Sequence, residues 1–140
     1  MGDDLAAANV NRSYSLAATS IAIFAFMLLF LYPRYENGQV NPLLFQFTIA
    51  VMGAATFSFV FASFWYYGAS LAGRMDESDR ARDARRVDRF WLLGSTLLFL
   101  APSLVLLSIG LGFVGTGWFA LWLVYVAFAV RYFPRVQTSR

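Results

Sequence analysis

The chain predicts an all-α integral membrane protein, a four-helix bundle with both termini on one side and a short charged helical extension between its second and third spans. Two observations carry this. No Asp, Glu, Lys, Arg or His lies between Glu36 and Arg74, or again between Arg89 and Arg131. Each gap holds roughly 40 residues, about twice the ~20 that cross a bilayer core as a helix. In addition, 59% of residues are hydrophobic and only 14% charged, where a soluble domain carries about a quarter charged residues. With 140 residues the chain forms one transmembrane domain and has no length for a second, soluble one.

The first span is expected over about 14–33. It ends at Pro33, whose ring disfavours helix continuation and which Arg34 and Glu36 follow directly. Asp3 and Asp4 replace the basic region of a secretory signal, so this span is expected to remain in the mature protein. The polar turn Glu36-Asn37-Gly38-Gln39 leads to a second span over 43–72, opened by Pro42, a favourable first-turn residue. At that length it tilts or projects beyond the bilayer. The third and fourth spans are expected over 90–111 and 117–133. Gly110, Gly112, Gly115 and Gly117 between them read as a tight hairpin turn, because glycine adopts positive φ.

Orientation follows from arginine placement. Ten arginines fall on the side holding the termini and the middle loop, against Arg34 alone on the other. The positive-inside rule then puts both termini in the cytoplasm and the protein in the cell inner (cytoplasmic) membrane. Tyr14, Trp65, Tyr66, Tyr67, Trp91 and Tyr132 form an inner aromatic belt, and Tyr32, Tyr35 and Trp118 an outer one.

The charged segment 74–89 carries Arg74, Arg80, Arg82, Arg85, Arg86 and Arg89 among five acids. Asp76 with Arg80 and Asp79 with Arg82 stand at helical spacings, so the third helix is expected to begin in the cytoplasm near Asp79. The segment reads as a solvated extension that fixes topology. Its sharper alternative is a docking surface, with Arg80, Arg82, Arg85, Arg86 and Arg89 meeting a cytoplasmic partner or lipid headgroups.

Inside the second span, Ala50, Ala54, Ser58 and Ala62 recur at every fourth residue. They predict a smooth ridge for close helix approach, within the bundle or between subunits. Thr48, Thr56 and Ser63 are candidates for a polar lining, set against the tendency of such hydroxyls to bond their own helix backbone. Pro102, near the middle of the third span, predicts a kink or hinge with a freed carbonyl near Leu98.

The excluded chemistries are informative. Without cysteine or histidine, disulfides, thiolate and imidazole metal ligation, imidazole haem ligation and thiol catalysis fall away. No spans carry a carboxylate that could bind a coupling ion. The serines in the spans have no acid or base beside them to activate a nucleophile. No catalysis, cofactor, metal or nucleic acid is expected; the expected partners are membrane lipids and other membrane subunits or the chain itself. Two functions remain: a scaffold or interaction subunit that docks membrane helices and a cytoplasmic partner, or a homo-oligomeric passive channel gated by Phe57, Phe61 and Phe64.

Overall fold

The computed structural model describes the backbone of residues 2–71 and 77–137 and the side chains of residues 10–68 and 87–131. Its elements are α1 (Gly2–Glu36), α2 (Pro42–Leu71), α3 (Glu77–Ser108) and α4 (Gly112–Gln137). All four contain a stretch long and apolar enough to cross a membrane: Val10–Glu36, Pro42–Gly68, Val87–Ser108 and Gly112–Arg131. By length and composition, these four candidate spans suggest a multi-pass membrane protein. The α1–α2 and α3–α4 turns lie at one end, here termed the loop end; the other is the termini end.

The helix limits differ from the sequence expectation at the end of α1 and at the α3–α4 turn. Pro33 lies inside α1 rather than ending it. A proline this near a C-terminus costs one backbone bond, to the Leu29 carbonyl, and its fixed φ still suits a helix. What stops α1 is Gly38, at φ 70°. The Gln39 N–H donates to the Arg34 carbonyl at 2.9 Å and the Gly38 N–H to that of Tyr35 at 3.0 Å, which is the Schellman arrangement. The same motif ends α3 at Ser108, earlier than 111. Gly110 has φ 85°, Leu111 N–H donates to Leu106 O at 2.9 Å, and Gly110 N–H donates to Leu107 O at 3.2 Å. Gly112, Gly115 and Gly117 therefore do not form the turn; they open α4. α3 begins at Glu77, close to the start near Asp79 that the charge spacing suggests, ahead of its apolar segment at Val87.

α2 starts with a complete cap. The Asn41 side-chain oxygen accepts the backbone N–H groups of Leu43 and Leu44, each at 3.1 Å, with Pro42 in the first position where no N–H is needed. The Asn41 N–H donates to the Ser108 carbonyl at 2.9 Å, so the head of α2 is tied to the tail of α3.

Packing follows chain order: α1 on α2, α2 on α3, α3 on α4. The buried positions have coiled-coil spacing. α2 buries Phe45, Thr48, Met52, Ala55, Phe59 and Ala62, alternating three and four residues apart. α1 presents Ser13, Ala17, Ser20, Phe24, Met27 and Leu31 in the same rhythm, and α3 carries a seven-residue row of Val87, Gly94, Ala101 and Ser108. A 3.5-residue repeat keeps its seam facing the neighbour along near-parallel helices crossing at about 20°. Met27, Met52 and Ala101 join α1, α2 and α3 in one cluster. Val51, Leu100 and Leu104, with Trp122 against them, join α2, α3 and α4 in another.

Two glycines make room for this packing. A Cβ on Gly94 would lie 3.0 Å from the Phe59 ring. One on Gly115 would lie 2.7 Å from Leu107 Cγ and 3.0 Å from its backbone nitrogen. Beside it, Ser103 Oγ donates to the Gly115 carbonyl at 2.9 Å. Gly115→Ala therefore should destabilise the detergent-solubilised protein by about 1–3 kcal/mol, since backbone cannot yield as a side chain can. Gly117→Ala meets nothing within 4 Å and is expected to leave stability unchanged or raise it by up to ~1 kcal/mol through helix propensity. Thermal unfolding of the two variants side by side checks the contrast.

Candidate functional site

The sequence places its candidate site on α2, and the structure distributes those residues around the helix. Of the ridge, Ser58 and Ala62 are buried while Ala50 and Ala54 are exposed. Rows of residues four apart advance about 40° around a helix at each step, so a ridge that begins on the outer surface at the loop end turns into the core by Ala62. The seam that runs straight is the three-and-four row from Phe45 to Ala62. Phe57, Phe61 and Phe64 stand exposed on α2.

The three hydroxyls read as a polar lining are committed to their own helix. Thr48 Oγ1 donates to Leu44 O at 2.6 Å, Thr56 Oγ1 to Met52 O at 2.9 Å and Ser63 Oγ to Phe59 O at 2.9 Å. Ser58, Ser95 and Thr96 make the same bond one turn back, at 2.7, 2.9 and 2.8 Å. Ser108 bonds to Val105 O at 2.8 Å, and Ser103 reaches α4. Every described serine or threonine hydroxyl from Thr48 to Ser108 thus donates to a backbone carbonyl. Among the described residues no three acidic, histidine or cysteine side chains gather as a metal site would require.

Pro102 lies within an α3 that stays helical from Glu77 to Ser108. Thr96 bonds to Leu92 and Ser103 to Gly115, so neither hydroxyl serves the Leu98 carbonyl that Pro102 leaves without its regular donor. Pro102 and Leu98 both face an apolar groove of ≈ 650 Å³ between α1, α3 and α4.

Polar side chains concentrate at the two ends. At the termini end, the Arg12 guanidinium of α1 sits 4.8 Å from the centre of the Trp91 ring of α3. The Tyr66 hydroxyl of α2 donates to Asp88 Oδ1 of α3 at 3.2 Å. Ser13 Oγ, fully buried next to Arg12, has no hydrogen-bond partner among the described residues. At the loop end, Gln46 Nε2 donates to the Tyr35 hydroxyl at 3.2 Å, and Tyr35 stacks on Phe45 with ring centres 5.1 Å apart. Arg89 is exposed on α3, while the side chains of Arg80, Arg82, Arg85 and Arg86 lie outside the described residues.

Several interhelical contacts had no separate signal in the sequence. Trp122 Nε1 donates to the Thr96 carbonyl at 2.8 Å and fixes α4 on α3. The Arg12–Trp91 and Tyr66–Asp88 pairs join residues distant in sequence; arginine and tyrosine at a predicted span boundary were the only hint. The fit of Phe59 to Gly94 was hidden because a glycine within an apolar run has several uses.

Comparison of the chain with protein-family models, with curated proteins and with solved structures gives no significant match.

The termini-end pair can be weighed by a mutant cycle. Arg12→Gln is expected to lower stability by about 0.5–1 kcal/mol, the worth of an exposed cation over an aromatic face. In a Trp91→Leu background that cost should vanish, and thermal unfolding of the four proteins measures the coupling. Tyr66→Phe removes one hydrogen bond and should cost about 0.5–1.5 kcal/mol by the same measurement.

Proposed function

We propose that this chain is a small non-catalytic scaffold or interaction subunit of the cytoplasmic (inner) membrane, with both termini in the cytoplasm. The ten-to-one arginine distribution supports the orientation. The observation that carries the functional reading is the hydroxyl accounting: from Thr48 to Ser108 each described serine or threonine hydroxyl proton is held by a backbone carbonyl. A hydroxyl engaged in this way is neither an activated nucleophile nor a free donor to a permeating solute. What the protein offers its surroundings is apolar shape: exposed Phe57, Phe61 and Phe64 on α2, and exposed Leu121, Val124 and Phe128 on α4. The helical stretch of α3 ahead of Val87, rich in arginine, is the element we assign to a cytoplasmic partner.

A second reading, a homo-oligomeric passive conduit, draws on one feature. The exposed Ala50 and Ala54 lie on the helix that also exposes Phe57, Phe61 and Phe64, so copies meeting at α2 would gather those rings around an axis.

The mass of the particle in nanodiscs or mild detergent, with its bound proteins identified, separates the two. A defined hetero-complex is the expected result; a symmetric homo-oligomer that conducts in planar bilayers would replace the scaffold by the conduit. If the particle is a homo-oligomer, Ala50→Leu with Ala54→Leu, at positions open in the isolated chain, should reduce it to a single copy without lowering its melting temperature. Retention of the full mass in that variant would exclude the ridge as the seam between subunits.

A further inference from the structure

We infer that the chain holds one anionic phospholipid of the loop-end leaflet, with an acyl chain in the groove between α1, α3 and α4 and its phosphate on Arg34. The groove is lined by Phe26 and Phe30 of α1, by Leu98, Pro102 and Leu106 of α3, and by Trp118 of α4, with no charged side chain among its walls. At ≈ 650 Å³ it is of the size that holds a small ligand. Its walls run from Ile23 to Leu31 on α1 and from Leu98 to Leu106 on α3. Eight residues of helix rise about 12 Å, which matches most of one leaflet's share, about 15 Å, of the hydrocarbon core. A hydrocarbon chain therefore fits the groove in both chemistry and length.

Charge complementarity names the head. Only Arg34 and Glu36 are charged among residues 33–42 and 108–117, the loop end of the chain. Arg34 follows Phe30 by four residues and Leu31 by three, so it lies on the groove face of α1, about 6 Å beyond Phe30. Its side chain is exposed and makes no ion pair among the described residues. Glu36 points about 160° round the helix from Arg34, so it does not cancel the charge over the groove. Trp118, partly exposed at the rim, is the residue type that sits at headgroup level. The inference rests on the groove and Arg34, and stands or falls independently of the scaffold reading.

Native mass spectrometry of protein released from nanodiscs of equal phosphatidylglycerol and phosphatidylcholine tests it. The wild-type chain should retain one phospholipid, with about a fivefold preference for phosphatidylglycerol, as one arginine at a membrane surface supplies. Leu106→Trp, which fills the groove, should lose the lipid; Arg34→Gln should keep a lipid and lose the preference. Val130→Ala, exposed on α4 towards the termini end, should behave as wild type. An unchanged lipid count in Leu106→Trp, an unchanged preference in Arg34→Gln, or a second copy in place of lipid would each overturn the assignment. If Leu106→Trp does not fold, quenching by brominated lipids decides. The emission lost on Trp118→Phe should be quenched more by brominated phosphatidylglycerol than by brominated phosphatidylcholine, and equal quenching would overturn it.

Discussion

The contact on which the rest of the bundle depends is the Phe59 ring against Gly94. Among the described residues Phe59 is the largest side chain with no exposure at all, and a single methyl on Gly94 would press on it at 3.0 Å. In lipid, association of apolar helices gains nothing from leaving water, so it rests on shape and on interhelical hydrogen bonds. A large ring facing a glycine supplies the shape, and it brings α2 and α3 together as the central pair. α1 and α4 are then added on either side, each through its own small residues: Ser13, Ala17 and Ser20 on α1, Gly115 on α4. The hydrogen bonds that cross between helices are few and specific. Ser103 and Trp122 hold α4, the Asn41 backbone holds the loop end of α3, and Tyr66 holds the termini end.

What could be read from the sequence was governed by range. The span positions depend on the absence of charge, a property summed over many residues, and the structure has four helices long and apolar enough to cross a membrane. Orientation and membrane rest on arginine counting alone. Local conformational choices were less legible. Pro33 looked like a terminator, yet the αL glycine at 38 ends the helix, because a missing N–H in the last turn is cheap and a left-handed residue is decisive. In the 110–117 glycine cluster one residue makes the turn and Gly115 makes a helix contact; composition cannot tell these uses apart.

The site residues show the same limit. Ala50, Ala54, Ser58 and Ala62 form a visible row of small residues, but a fourfold row spirals away from any straight neighbour. The row that stays put, Phe45 to Ala62 by threes and fours, mixes phenylalanine, threonine, methionine and alanine. Hydrophobicity does not mark it, since the lipid-facing side is as apolar as the core. Burial in a membrane protein is a matter of size and fit, and fit depends on a partner that the sequence of one helix does not contain. Likewise Thr48, Thr56 and Ser63 look polar on paper, and their polarity is consumed within a single turn.

That self-sufficiency bears on how the protein is made. A span emerging from the ribosome meets lipid before its neighbours exist, and any side chain still seeking a partner would then have to be shielded or left in water. Thr48, Thr56, Ser58 and Ser63 carry their acceptors with them, one turn back on the same helix, so these hydroxyls of α2 need nothing from α3 to be satisfied. The same holds for Ser95 and Thr96 in α3. Among the described serine and threonine hydroxyls from Thr48 to Ser108, Ser103 alone has its acceptor on another helix, α4, so its bond forms only when the second hairpin closes.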